Sequence, residues 1–427
     1  MSKSLLFLSF RKERFFFFAK KKQKTLVCLG LLLCGTRGAV GRQVDVATTP
    51  ALIAAVAGAH AGDDIVLADG TYVISSHLNA MAAGTAQAPI SVRAAHKWQA
   101  RILSSAQVVF EITGPDWHFL GLDIRGVCAQ DSYCEHAFHV VGAADGFMLS
   151  GNRLVDFNAQ LKVNANAAHA MPAHGLVENN LIFDTHARHT DNPVAPLDMD
   201  NTLYWVARGN FIYDFQKDGT DEIAYGAYFK GGTVAPVFDR NLVMCSRYVS
   251  PVGQAVGLAL GAGGMDRRLC SPHWNDTACD PEVDGGIVRN NIVVNCSDEG
   301  IYLNNARQSQ ILFNTLAFTN GIEFRFAGSN GQARGNVLSG PITTRDGGAF
   351  AGTGNVQNLS FPYWYRAPGA GDFRLRTAIP AMIRGAGGVD AAVANDFCGR
   401  PRTGRLDAGA LQSSLGDCST LPDNNSR

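Results

Sequence analysis

An asparagine leading a short apolar run recurs seven times through the middle of the chain. The segments are GNRLVDF at Asn152, NNLIFDT at Asn180, GNFIYDF at Asn210, RNLVMCS at Asn241, NNIVVNC at Asn291, FNTLAFT at Asn314 and GNVLSGP at Asn336, spaced by 28, 30, 31, 50, 23 and 22 residues. Repeats of this length mean a solenoid, a propeller or an array. Each unit holds short β-branched and apolar runs broken by Gly, Asn and Asp, with no helical period of useful length, which excludes the helical solenoids. No L-x-x-L-x-L frame recurs, and a propeller blade needs more residues than these units hold. A parallel β-helix fits, with two or three short strands per coil and coils stacked ~4.8 Å apart. Asn at one turn of successive coils then forms a ladder of side-chain amides, and Asn tolerates the left-handed backbone such turns need.

The one long interval contains a Gly- and Cys-rich stretch, residues 261–285, which reads as an inserted loop. A solenoid end must be covered. TPALIAAVA from Thr49 supplies a helix for that purpose, with Thr49 as N-cap and Pro50 at the first helical position. The expected organisation is a leader at 1–41, a parallel β-helix over 42–380 with an N-terminal capping helix, and a tail at 381–427 that packs on or caps it.

The leader differs in kind from the rest. Eight Lys or Arg residues within 1–24 precede an apolar run, Leu26 to Gly35, and the small-residue stretch Gly38-Ala39-Val40-Gly41. That order is a secretory signal peptide, and the run falls short of the about 20 residues a membrane-spanning helix needs. Leu33 before Cys34 makes the likeness to a lipoprotein signal loose. The first 41 residues hold nine basic residues and one acid out of the chain's 37 and 37, so cleavage leaves 28 against 36, about −8. No basic excess points to nucleic acid. Eight cysteines remain, and an even number in an exported chain reads as disulfides. Local pairs are Cys128 with Cys134, Cys270 with Cys279 and Cys398 with Cys418; Cys245 and Cys296 either pair across a rung or stay buried as thiols.

The run GDDIVLADGTYVI (62–74), followed by GTAQAPISVRA (84–94), resembles the opening of the polysaccharide lyase group that includes chondroitinase B and alginate lyases, and the closing DFCGRPRTGRLDAGALQ (396–412) resembles the terminal segment of many secreted right-handed β-helix proteins. The resemblance implies a right-handed parallel β-helix acting on an acidic polysaccharide by calcium-assisted β-elimination; with the leader, the expected protein is a secreted or periplasmic monomer.

Aligning the strand-like segments by their apolar positions gives two outward columns. One reads His139, Lys162, Asp198, Tyr228, Ala259, Tyr302, Glu323; the other reads Asn164, Asp200, Lys230, Gly261, Asn304, Arg325, Arg345. β-Elimination on a uronic acid needs a cation to neutralise the carboxylate and a base to take the C5 proton. Lys230, followed by Gly231 and Gly232, is the expected base and Arg325 its carboxylate-neutralising or proton-handling partner. Asp198 and Asp200, with Asn164, are the expected Ca²⁺ ligands, oxygen donors that suit a hard cation. The family's Glu-x-Glu-to-Lys spacing is absent, since Asp198 lies 32 residues before Lys230. Each residue also has a plainer reading as a solvated Lys, a surface DxD pair or a surface Arg. Two rival functions follow: a non-catalytic glycan-binding β-helix, and a glycoside hydrolase using the Asp198/Asp200 pair. Six clustered histidines, His136 to His189, lack a zinc-ligand frame.

Overall fold

The computed structural model describes residues 41–264, 270, 279–376, 378–390 and 392–421. The leader, and most of the 261–285 insertion, lie outside the described residues. From Gln43 onward the chain passes in turn through three sheets, here called A, B and C, and then returns to the first. Among the described residues sheet A has 12 strands, from Gln43–Val46 to Ala351–Thr353. Sheet B has 11, from Gly70–Ile74 to Val356–Gln357, and sheet C has 10, from Leu78–Ala80 to Ile342–Arg345. All three are parallel throughout, and the coil is a right-handed parallel β-helix.

The strands are short because each coil must turn three times, and side chains alternate between the packed interior and the outside. Leu161, Val163, Leu197, Met199, Leu258, Leu260, Ile301, Leu303, Ile322 and Phe324 all point inward and are fully buried. The inward and outward assignment drawn from the sequence therefore holds on sheet C. Helix α1 (Thr49–Ala57) lays Leu52 and Val56 on the same core at the first coil. Its N-cap is Thr48, one residue earlier than expected, whose hydroxyl accepts from the Ala51 N–H at 3.3 Å.

The asparagine ladder is continuous and longer than the repeat pattern indicated. Each ladder amide nitrogen donates to the side-chain oxygen of the next Asn at 2.9–3.1 Å, from Asn152 through Asn180, Asn210, Asn241, Asn291, Asn314 and Asn336 to Asn355. The same oxygen also accepts the preceding Asn backbone N–H, so every buried amide is satisfied. The left-handed backbone falls not on the ladder Asn but on the residue before it: Gly151, Asn179, Gly209, Arg240, Asn290, Phe313, Gly335 and Gly354 all have positive φ. Asn is therefore selected for its amide, and its neighbour absorbs the strain.

Among the described residues four disulfides are present: Cys128–Cys134, Cys245–Cys296, Cys270–Cys279 and Cys398–Cys418. Cys245 and Cys296 follow neighbouring strands of sheet B, so their bond ties two successive rungs. Beyond Gln357 the chain lies over the outer face of sheet B. Phe361, Tyr365, Phe373, Ile379 and Ala410 pack on Leu242, Met244, Ile292 and Val294. The Ala410 N–H donates to Thr315 Oγ1 at 2.9 Å, and Arg402 to Asn290 Oδ1 at 3.1 Å.

Candidate functional site on sheet C

Strands Ala159–Asn164, Leu197–Asp200, Ile223–Lys230, Gln254–Leu260, Ile301–Asn304 and Ile322–Arg325 lie side by side in sheet C. Their register pairs His139 with Lys162, Lys162 with Asp198, Asp198 with Tyr228, Tyr228 with Ala259, Ala259 with Tyr302 and Tyr302 with Glu323. Asp200 pairs with Lys230, and Asn304 with Arg325. Both outward columns are thus those read from the sequence.

The structure brings Asp198, Asp200 and Lys230 together around Lys162, a residue with no expected role. Lys162 Nζ lies 2.8 Å from Asp198 Oδ1 and 2.6 Å from Asp200 Oδ2. The two aspartates are only 5% and 4% exposed, so they are not a surface pair. Burial alone would lower the Lys162 pKa, but the two carboxylates outweigh it and raise it. Burial likewise pushes Asp198 up, yet Lys162 and Lys230 pull it below its ordinary value. Asp200 goes the other way, raised by burial and by the neighbouring Asp198 charge. Of two coupled carboxyls around one ammonium, Asp198 keeps its charge more firmly.

Lys230 is half-buried at the edge of this cluster. Its strand ends at Gly231 and Gly232, both with positive φ, where a side chain would be strained. The ammonium sits 4.5 Å from the centre of the Tyr228 ring and donates to the Gly263 carbonyl at 3.4 Å. The Tyr228 hydroxyl bonds Asp198, and burial beside that carboxylate raises the Tyr228 pKa, so the phenol stays protonated. Across the groove Glu282, 4% exposed, accepts the Ala262 and Gly263 N–H groups at 3.3 and 3.4 Å. Burial pushes its carboxyl up to about 7 against the opposing charge of Lys230. Glu282 has no expected role. It belongs to the inserted stretch, outside the repeat, and no spacing signalled its position.

Arg325 stands apart. It lies three strands from Lys230 in the sheet, ~14 Å at the usual strand spacing. Its guanidinium pairs with Asp346 at 2.9 Å and donates to the Tyr302 hydroxyl at 3.1 Å. Asn164 accepts from His139 Nε2 at 2.8 Å and donates to the Ala165 carbonyl at 2.7 Å.

Calcium requires six to eight oxygen ligands. Here Asp198 and Asp200 each commit an oxygen to Lys162, Tyr228 takes Asp198 as well, and the Asn164 oxygen is held by His139. Among the described residues Asp200 Oδ1 is the one oxygen of the set that is buried without a hydrogen-bond partner. These residues as arranged do not fit a calcium ion, because the Lys162 ammonium holds the place between the carboxylates. Nor do the described histidines gather into a metal cluster with other ligands.

No protein-family model and no curated protein matches the chain. Solved structures do. The pectate lyase Pel9A is 14% identical, covering 88% of this chain and 97% of its own with a TM-score of 0.54. A rhamnogalacturonan lyase is 13% identical, covering 87% and 97%, also at 0.54. An alginate lyase from Paenibacillus sp. str. FPU-7 is 16% identical over 74% and 95%, at 0.41. At such identity the likeness is one of fold, and what the chain shares with the pectate lyase and the rhamnogalacturonan lyase is the right-handed parallel β-helix.

Proposed function

We propose that this chain is a secreted carbohydrate-active protein that cleaves uronate-containing polysaccharide by β-elimination on the outer face of sheet C. The observation that carries the reading is the convergence of Lys230, Lys162, Asp198 and Asp200 on three neighbouring strands of one solenoid face. The fold shared with a pectate lyase and a rhamnogalacturonan lyase supports it. Four disulfides suit an oxidising compartment, and no helix among the described residues is long and apolar enough to cross a membrane.

In this reading Lys230 is the general base toward the C5 proton of a bound uronate. The C5–H and C4–O bonds break, a C4=C5 double bond forms, and the departing oxygen takes a proton from water. Charge building on the sugar carboxylate faces Lys162, whose side chain remains 19% exposed while its ammonium is locked by Asp198 and Asp200. A cation held in place before the substrate arrives costs no reorganisation during reaction. Arg325, at its distance along the face, binds the carboxylate of a sugar farther along the polymer.

The test is to incubate the protein lacking residues 1–41 with alginate, pectate and chondroitin sulfate, with and without a chelator. Ultraviolet absorbance of the unsaturated product is expected on at least one polymer, surviving chelation, and Lys230→Ala lowers it by roughly 10²-fold or more. Reducing ends without unsaturation would instead identify a hydrolase, and saturable binding without turnover a glycan-binding protein. Full activity in Lys230→Ala removes the base assignment.

A further inference from the structure

We infer a second binding site, for acidic glycan, in a trough along the corner between sheets A and B, away from the sheet C face. It does not rest on the elimination reading and shares with it only the class of ligand.

The trough follows from what the corner is made of. At the turn from sheet A to sheet B successive coils place Gln99, Gly121, Gly151, Asn179, Gly209 and Arg240, and the three glycines add no side chain of their own, so the Lys97 stem can lie over Gly121 and Gly151. From the strand after Gln99 to the strand after Arg240 are five strand steps, ~24 Å. The C-terminal tail forms the opposite wall with Phe397 and with residues 418–421, tied together by Cys398–Cys418. The space between is about 950 Å³.

Its chemistry is that of a uronate chain. Leu181, Phe211 and Leu242 make an apolar floor, and half-buried Trp98 closes one end. The indole is fixed, because its Nε1 donates to the Gly151 carbonyl at 2.8 Å. Sugar rings present apolar C–H faces to such surfaces, and exposed amides of Gln99 and Asn179 stand ready for hydroxyls. Among the described residues the charged lining groups are Lys97 and Arg240, the latter also paired with Asp239 at 3.3 Å, and no carboxylate lines the trough itself. Over residues 42–427 acids outnumber bases 36 to 28, so a trough whose described lining carries Lys97 and Arg240 and no acid favours an anion over the rest of the surface. The Lys97 ammonium, 4.3 Å from the Trp98 ring centre, forms no ion pair among the described residues. A trough that runs along several rungs suits a linear polymer.

The experiment titrates a short oligogalacturonate into the full chain carrying Lys230→Ala, which prevents turnover, and follows calorimetry and tryptophan fluorescence. The expected result is salt-sensitive binding that changes the fluorescence. Lys97→Ala/Arg240→Ala weakens it at least tenfold, Trp98→Phe abolishes the fluorescence change, and Arg325→Ala on sheet C leaves this fluorescence-reported binding unchanged. The inference is overturned by undiminished binding in the Lys97/Arg240 variant, or by equal binding of poly-glutamate. It is also overturned if a chain ending at Leu421 binds more than tenfold tighter, since residues 422–427 would then be the trough's occupant. A chain with no elimination activity at all would leave these outcomes as informative as before.

Discussion

Lys162 is where charge and stability meet, and Lys162→Met tests it directly. The substitution keeps the apolar stem and deletes an ammonium bonded to Asp198 at 2.8 Å and Asp200 at 2.6 Å. Two charge-assisted bonds are lost, and two carboxyls at 5% and 4% exposure are left with Lys230 as the remaining nearby cation. Breaking a buried pair by removing one partner costs about 3–5 kcal/mol. The cost depends on pH in a definite direction. In the wild-type chain the Asp198 pKa is depressed, so its contribution is present above its ordinary pKa and lost as pH falls. Without Lys162 both carboxyls titrate upward, and the variant loses stability as pH rises from about 4 toward neutrality. Urea unfolding followed by circular dichroism near pH 4 and near pH 7 should show the gap between the two proteins widening toward pH 7. Converting the whole cluster, Lys162→Met/Asp198→Asn/Asp200→Asn, should recover at least half of the loss, because no unpaired charge remains. A gap below about 1 kcal/mol at neutrality, or one independent of pH, would refute the lysine-centred cluster.

Two further outcomes follow from groups described above. Glu282 keeps its proton up to about 7 in the folded chain against 4.5 ordinarily, so wild-type stability falls across that interval as the unfolded chain alone releases the proton. Glu282→Gln should flatten this fall and be the more stable protein above neutrality by roughly 2–3 kcal/mol; parallel pH curves would show that the carboxyl is not held neutral. Asn241→Ala strands the buried Asn210 N–H and the Ala207 carbonyl, at about 1–3 kcal/mol for each group, and should lower the Tm. An unchanged Tm would mean that the ladder contributes nothing to stability.

The coil was legible because its signal is periodic. Asn at a fixed turn and alternation within strands such as Ala159–Asn164 set both the fold and the two outward columns of sheet C. Asn355 escaped the pattern because the polar V-Q-N that follows it lacks the apolar run. The shift of positive φ to the preceding residue was hidden for a similar reason: Gly, Asn, Arg and Phe all occupy that position, so no residue type marks it. Lys162 stood in the right column beside Asp198, but which side chain partners which depends on reach and burial, not on spacing. Glu282 comes from an insertion that obeys no period. The path of the tail was written in strands apolar on both faces, Leu242–Met244 and Ile292–Val294, a sign of cover on both sides.

The ladder asparagines are separated by anything from 19 to 50 residues, yet their amides meet at nearly constant distance. Counting is therefore done by the amides and not by the length of chain between them. Loops elsewhere on a coil are free to lengthen, as between Asn241 and Asn291, without moving any strand out of phase. That insertion delivers Glu282 to the rim of the lysine–aspartate cluster. A scaffold that separates phase-keeping from decoration lets new surface chemistry arise by loop growth alone, one coil at a time, while the neighbouring coils stay as they were.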